Sequence, residues 1–505
     1  MHMLAQAAGW KTPVLDYHAL LPEMILAGVI VIVLVADLFL EERSKYLTST
    51  IAGFGLLATL VPIVTLGLYS HGPREMFGGA YVVDTYSLVL KALFVGAGYV
   101  VVLLSSTYLE EGDYYQGEYY TLLLSAILGM VMMTSSRDLV SIFVALEFLS
   151  IPAYMLAAWR KRDVKSNEAG MKYFLLGVFA SAVMLYGMSL LYGEAGTTLL
   201  KGIQDHLAQV GNSGITTLAI VFVVVGFAFK VSAVPFHSWA PDTYEGAPTP
   251  ITAFLSVASK AAGFVALLQL VFVGFFAGKV VWQPLFWVLA ALTMTVGNLL
   301  GLRQTNIVRM FAYSSIAQGG FILMPLAVVG NGDQAPREAL TAVITYLIIY
   351  AVMNLGAFAV IMAVARKTRS GAISSYGGLF SYSPGLAVLM TIFLASLAGV
   401  PPLGGFWAKL SVFKALLSAG GGWAAALAAI GAVNSVVAFG YYGRVLREMW
   451  MNPVPDGDTA KVRVPQSLGA ALTLTAGLTV LLGVLPNIVL HFGDLSKVLD
   501  STLGK

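Results

Sequence analysis

Four ionisable side chains lie deep within long apolar stretches of the sequence. Glu147 is flanked by Leu and Phe, Lys230 precedes a proline by five residues, and Lys260 and Lys409 are single lysines in apolar runs. A charge near the middle of a membrane helix is costly, so it usually faces a polar cavity or a partner. Burial also destabilises the ammonium form of a lysine, which lets the side chain gain and lose a proton during turnover. The four residues therefore indicate a proton path, in which Glu147 would favour the protonated form of a neighbouring lysine.

Simpler interpretations of the same residues remain open. Glu147 and Lys230 could form a static buried ion pair that locks two helices together. Lys260 and Lys409 could extend their stems so that the ammonium groups reach an interface. Lys260 is too deep for this to be easy, whereas a helix break near Lys409 leaves the depth of that residue uncertain.

Other residues are weaker candidates for the same path. His237 follows the break at Pro235 and could relay protons to or from Lys230, or could cap the backbone groups that the break frees. Pro235 and Pro402 support the site by interrupting their helices, because proline lacks a backbone donor. Two further lysines, Lys91 and Lys172, lie within about two turns of predicted helix starts, so we expect both to reach the interface.

The composition identifies the class of protein that carries these residues. Of 505 residues, 58% are hydrophobic and only 11% are charged, and the net charge is +3. Soluble domains carry about 25% charged residues, and a nucleic-acid binder would be far more basic. The sequence has no cysteine, no phosphate-binding glycine motif and no paired histidines. We therefore predict a membrane protein without a metal or cofactor site of its own.

The apolar segments predict an all-α polytopic fold. About 20 apolar residues span a bilayer, and fourteen segments meet this requirement. They are residues 22–40, 47–70, 86–108, 119–135, 138–159, 167–192, 215–246, 251–276, 282–302, 307–328, 337–365, 384–417, 423–450 and 464–490.

Segments 7 and 12 are each interrupted by prolines, at Pro235 and at Pro401 and Pro402. Broken helices at corresponding places are typical of transporters built from inverted repeats. The breaks are five segments apart, an odd number, so segments 4–8 and 9–13 would cross the membrane in opposite senses. The alternative is that proline and glycine merely kink two unrelated helices. The predicted division is an N-terminal region (1–118), a first repeat (119–277), a second repeat (278–451) and a C-terminal helix with its tail (452–505).

The loops after odd-numbered segments hold nearly twice as many Lys and Arg residues as the other side. The positive-inside rule makes these loops cytoplasmic. We therefore predict a multi-pass protein of the bacterial cytoplasmic (inner) membrane, with both termini on the outer (periplasmic) face.

Four sequence blocks resemble the antiporter-like membrane subunits of respiratory complex I. They are residues 147–174, 229–250, 309–318 and 399–409, and the resemblance extends from about residue 21 to residue 490. Within that family, two larger subunit types tend to carry histidine where Lys260 stands, and subunit M tends to carry glutamate where Lys409 stands.

The resemblance implies a role for each residue. Glu147 would pair with Lys230 and control its protonation. Lys230 would take protons from the cytoplasmic half-channel, Lys260 would be the central relay, and Lys409 would face the exit.

The resemblance also implies a subunit of a proton-translocating NADH-quinone oxidoreductase, driven by quinone reduction elsewhere in the complex. NADH, flavin, iron–sulfur clusters and quinone would bind other subunits, and the partners would be the bilayer, the neighbouring subunit M and the small subunits K and J. A separate Mrp-type cation/proton antiporter and a purely structural spacer are the alternatives.

Overall fold

A computed structural model describes residues 15–41, 44–69, 72–112, 114, 117–329 and 334–493. The predicted outer location of the two termini falls on residues outside these ranges.

The described chain is a bundle of helices with one small hairpin. The helices are α1 (Tyr17–Phe39), α2 (Tyr46–Tyr69), α3 (Thr85–Glu111), α4 (Gly117–Ser135), α5 (Leu139–Ala157), α6 (Val164–Ala195), α7 (Leu200–Val210), α8 (Gly214–Lys230), α9 (Trp239–Gly246), α10 (Thr249–Gly274), α11 (Lys279–Leu302), α12 (Ile307–Leu323), α13 (Gln334–Thr368), α14 (Pro384–Ala398), α15 (Gly404–Ala419), α16 (Gly421–Met451), α17 (Gln466–Val484) and α18 (Asn487–Gly493). The hairpin pairs β1 (Arg74–Met76) with β2 (Tyr81–Val83) in antiparallel register.

The described helices confirm the predicted polytopic architecture. Twelve of them are long and apolar enough to cross a membrane, and two shorter apolar helices, α8 and α14, are the first parts of the two broken segments. These fourteen helices correspond one to one to the fourteen predicted segments. The hairpin and α7 were not predicted, because three-residue strands and an eleven-residue polar helix fall below the length that a hydropathy pattern detects.

Matching backbone contacts relate the two repeats. Asp138 caps the start of α5 and pairs with Leu199 after α6, while Asn306 caps the start of α12 and pairs with Ala372 after α13. In each case the residue after the cap donates its amide across the bridge, from Leu139 to Thr198 at 2.9 Å and from Ile307 to Gly371 at 2.8 Å. The two bridges are five membrane crossings apart, so they lie at opposite ends of the bundle, as an inverted repeat requires.

Close helix contacts give the alignment of the two repeats. A β-carbon on Gly129 would lie 2.9 Å from the carbonyl of Ala145 and 2.7 Å from the amide of Leu149. A β-carbon on Gly297 would lie 3.1 Å from the carbonyl of Tyr313 and 2.8 Å from the amide of Ala317. The residues of the second contact lie 168 positions after those of the first, and Asn306 lies 168 positions after Asp138 in the same way.

Helix α10 lies at the centre of the molecule. Its most apolar stretch is entirely buried, and π-helical turns at Leu255–Ser259 and Leu270–Gly274 flank a regular segment that begins at Lys260. Such π turns are rare and are often found at functional sites.

Lys91 corrects one prediction from the sequence. Its side chain is fully buried, and its Nζ lies 2.6 Å from Oε1 of Glu23, which also accepts a hydrogen bond from the Tyr81 hydroxyl at 2.6 Å. Lys91 therefore does not extend to the interface. An opposite charge offsets the cost of burying an ammonium group, and α1 supplies one within two turns of its start.

Candidate proton-transfer site

At each helix break, a side chain donates a hydrogen bond to a backbone carbonyl group near the end of the interrupted helix. Pro235 lies between α8 and α9, and Pro402 lies between α14 and α15; both prolines are exposed. The indole of Trp239 donates to the carbonyl of Phe229 at 3.1 Å in the first break. In the second, Lys409 donates to the carbonyl of Ala398 at 2.7 Å. Broken helices are tolerated at membrane depth only when their free carbonyls find such partners.

Lys230 is the last residue of α8 and is 4% exposed. Its Nζ donates to Oγ of Ser150 on α5 at 2.9 Å and makes a longer contact, 3.5 Å, to the Tyr173 hydroxyl on α6. Both partners are uncharged. The ammonium group is thus held by hydroxyl oxygens.

Glu147 lies one turn before Ser150 on α5, and its carboxylate accepts a hydrogen bond from Ser181 of α6 at 2.6 Å. Glu147 and Lys230 do not form a direct ion pair. Instead Ser150, Ser181 and Lys230 line one small cavity between α5, α6 and α8. Glu147 and Lys230 are thus each held by a serine hydroxyl, and both serines line the same cavity.

Lys260 is 2% exposed, and its Nζ donates to Ser315 of α12, to the carbonyl at 2.8 Å and to Oγ at 2.6 Å. One turn further along α10, a β-carbon on Gly263 would lie 3.1 Å from Cγ of Lys230. The stem of Lys230 therefore packs against the helix that carries Lys260, so the two lysines are neighbours in the core.

Lys409 is 6% exposed and lies one turn into α15. Besides its bond to Ala398, its Nζ lies 5.0 Å from the centre of the Phe321 ring. The carbonyl end of a helix carries a partial negative charge. The interrupted end of α14 therefore stabilises the ammonium group of Lys409 without a carboxylate.

Residues on one face of α12 contact both Lys260 and Lys409. Ser315, Gln318 and Phe321 are spaced three residues apart, so they share a face of the helix. Ser315 binds Lys260, and Phe321 contacts Lys409. Gln318 lies between them and is 1% exposed.

A charged network connects the first break to the second repeat. Asp242 of α9 accepts hydrogen bonds from Lys172 of α6 at 2.7 Å and from Arg309 of α12 at 2.9 Å. Arg309 also contacts Glu245 at 2.8 Å, and Lys172 contacts Glu168 at 2.7 Å. Lys172 is partly exposed, as expected near a helix end, but carboxylates hold its ammonium group.

His237 is half-buried in the first break, and its Nδ1 has no hydrogen-bond partner among the described residues. The hydrogen bonds of Lys230 go to Ser150 and Tyr173. No hydrogen bond joins the His237 ring Nδ1 to Lys230 among the described residues.

The sequence identified the ionisable residues of this site but missed most of the hydroxyls. Ser315 and Gln318 lie within the sequence block 309–318 that carries the family resemblance. Ser150, Ser181 and Tyr173 gave no signal of their own, because isolated serines and tyrosines are common in membrane helices.

Two inverted repeats, each with a broken helix, and a series of buried lysines define an antiporter-like membrane protein. The family described as "NADH:quinone oxidoreductase/Mrp antiporter, TM" matches residues 136–435, and the chain belongs to this family.

Individual relatives narrow the resemblance. The chain is 39% identical to NADH-quinone oxidoreductase subunit N of Trichlorobacter lovleyi, over 95% of this chain and 96% of that protein. It is 43% identical to the protein of the same name from Heliobacterium modesticaldum, over 86% and 89%. Among solved structures, it resembles a chain of respiratory complex I from Thermus thermophilus with a TM-score of 0.76 at 31% identity, covering 93% of this chain and 98% of that one. A chain of the Mrp complex from Dietzia has the same fold, with a TM-score of 0.83 at 21% identity over 97% and 98%.

Proposed function

We propose that this chain translocates protons as a membrane subunit of an NADH-quinone oxidoreductase. Protons would move along Glu147, Lys230, Lys260 and Lys409, driven by quinone reduction elsewhere in the complex. The names of the relatives support the complex, and the geometry of the lysines supports the path.

One observation carries the proposal. Each of the three lysines of the proposed path donates to neutral oxygen atoms, and none of the three has a carboxylate within ion-pair distance among the described residues. A permanently charged ammonium group without a counter-charge would be costly at this depth. Side chains held in this way are suited to lose and regain a proton, which a static lock would not require.

Buried hydroxyls without partners support the same function. Those of Tyr244, Tyr350 and Thr345 have no hydrogen-bond partner among the described residues. Buried polar groups are normally satisfied by protein or by ordered water. We infer that water molecules occupy positions among these hydroxyls and satisfy them.

The surroundings of Glu147 support a neighbouring subunit. Glu147 is half-buried, and Val144, Phe148 and Ile151 beside it are exposed. A carboxylate on a lipid-facing surface is costly, so we propose that another membrane subunit, of the M or K and J type, covers this face. The proposed location is the bacterial cytoplasmic membrane with both termini outside. NADH, flavin, iron–sulfur clusters and quinone would bind other subunits.

Replacing Lys230 with Ala in the assembled complex tests the function. We expect NADH-driven proton pumping in vesicles to fall, with a matching loss of coupled quinone reduction. Lys414→Ala is the matched control, because the Lys414 side chain, on the same helix as Lys409, is 70% exposed and lies 3.4 Å from Oε1 of Glu338. If pumping and coupled quinone reduction of Lys230→Ala both stay near wild type, the proposed role of Lys230 is wrong.

The shared fold with the Mrp complex makes a cation/proton antiporter the second candidate. Purification of the native protein separates the two. Recovery of this chain without NADH dehydrogenase subunits, together with sodium-dependent proton exchange in vesicles, would favour the antiporter.

A further inference from the structure

Gln318 occupies the space between Lys260 and Lys409. On α12 it lies one turn after Ser315, which binds Lys260, and one turn before Phe321, which contacts Lys409. At 1.5 Å per residue, the six positions from Ser315 to Phe321 span about 9 Å of helix axis. Any proton that passes between these lysines along α12 must therefore pass the Gln318 amide.

Hydrogen bonds to three other helices hold that amide. Its Nε2 donates to the carbonyl of Leu397 on α14 at 3.1 Å and to the Tyr442 hydroxyl on α16 at 3.3 Å. Its Oε1 accepts from the Tyr346 hydroxyl on α13. A glutamine amide has two N–H donors, and both are used here. The amide is therefore fixed in one orientation.

A fixed amide is a poor proton relay. A hydroxyl or a water molecule can accept a proton on one side while it donates one on the other, whereas a neutral amide has no titratable proton near pH 7. The Tyr442 hydroxyl accepts from Gln318 and also shares a hydrogen bond of 2.5 Å with the Ser314 hydroxyl. These hydrogen bonds hold the amide without giving a proton a path through it.

The first repeat has a different residue at the same place. The shift of 168 positions that relates Gly129 to Gly297 relates Ser150 to Gln318 and Glu147 to Ser315. Ser150 binds Lys230 directly through a hydroxyl. The second repeat therefore has a non-titrating amide where the first has a group that can relay a proton.

We propose that Gln318 is a hydrogen-bonded barrier between Lys260 and Lys409, and that protons pass only when its amide releases Leu397 or Tyr442. The barrier would prevent protons from flowing back from the exit lysine to the central one. The inference rests on the proposed function and adds the control of proton transfer at that site.

Gln318→Glu tests the barrier in the assembled complex, because it keeps the size of the side chain and makes it titratable. We expect quinone reduction to continue, the number of protons pumped per electron to fall, and passive proton leak in vesicles to rise by roughly tenfold, the factor for removing about one hydrogen bond from a barrier. Tyr346→Phe removes one anchor of the amide and should give a smaller change in the same direction.

Gln269→Glu is the matched control. Gln269 is also a buried glutamine of a membrane helix, but it donates to the carbonyls of Met133 and Thr134. The barrier is wrong if Gln318→Glu pumps as many protons per electron as the wild type. It is also wrong if Gln269→Glu loses as many protons per electron as Gln318→Glu. If Gln318→Glu does not assemble, a wild-type number of protons per electron in Tyr346→Phe overturns the barrier. Loss of pumping in Lys230→Ala together with an unchanged Gln318→Glu would reject only the barrier, and the proposed function would stand.

Discussion

At the scale of residues, neutral oxygen atoms accept the hydrogen bonds of the three lysines of the proposed path. Ser150 holds Lys230, Ser315 holds Lys260, and the carbonyl of Ala398 holds Lys409. A charged donor gains more from such a bond than a neutral one, about 1.5–3 kcal/mol. Each oxygen therefore adjusts how readily its lysine stays protonated without neutralising it as a carboxylate would.

Ser150→Ala tests this at Lys230. Without the hydroxyl, the ammonium group retains only the longer contact to Tyr173, so its charged form loses about 1.5–3 kcal/mol. We expect the number of protons pumped per electron to fall while the complex still assembles. Ser411→Ala is the control, since Ser411 donates only to the carbonyl of Trp407 within its own helix. An equal effect in both variants would show that the Ser150 hydroxyl has no special role.

At the scale of elements, an ion pair joins the N-terminal helices. Glu23 of α1 contacts Lys91 of α3 and the Tyr81 hydroxyl of β2. Tyr81 forms a backbone bridge to Ser136 at the junction of α4 and α5, and Arg137 contacts Asp84 at 2.9 Å. The hairpin that the sequence did not reveal thus fastens α1 and α3 to α4 and α5.

Replacing one partner of this ion pair should destabilise the protein more than replacing both partners. Lys91→Met leaves the Glu23 carboxylate buried and uncompensated, which costs about 3–5 kcal/mol. We expect a lower thermal unfolding temperature and a reduced yield of assembled complex. The double variant Glu23→Gln with Lys91→Met should recover most of this loss. If the double variant is no more stable than Lys91→Met, the pair does not act as a unit.

At the scale of the whole molecule, the two repeats share a backbone but differ in chemistry. The symmetry places Ser315 where the first repeat has Glu147, and Lys260 binds Ser315. At the position of the first repeat's carboxylate, the second repeat thus has an uncharged side chain, and this side chain binds Lys260 of the first repeat.

Ser315→Glu tests the importance of that difference. The new carboxylate would meet the ammonium group of Lys260 in the buried core and hold it in the charged form. We expect proton pumping to fall several-fold, on the scale of a 1–2 kcal/mol barrier, while quinone reduction becomes uncoupled or slow. Ser315→Gln has nearly the same volume without the charge and is the control. Equal pumping in the two variants would contradict the electrostatic explanation.

The sequence by itself determined the membrane class, the fourteen crossings, the two breaks and the four charged residues of the proposed path. These features follow from local composition, because an apolar run long enough to span a bilayer, a proline inside it and a charge within it are each visible in one segment of chain. The inverted relation of the repeats also followed, since it depends only on the parity of the crossings.

Only the tertiary structure decided which side chains meet. Ser150 binds Lys230, Ser181 binds Glu147, Glu23 pairs with Lys91, and Gln318 donates to the carbonyl of Leu397. The residues that meet in these contacts belong to different helices and are distant in the chain. Hydrophobicity along one helix cannot specify them, because packing between helices sets which faces touch and how the buried polar groups are satisfied.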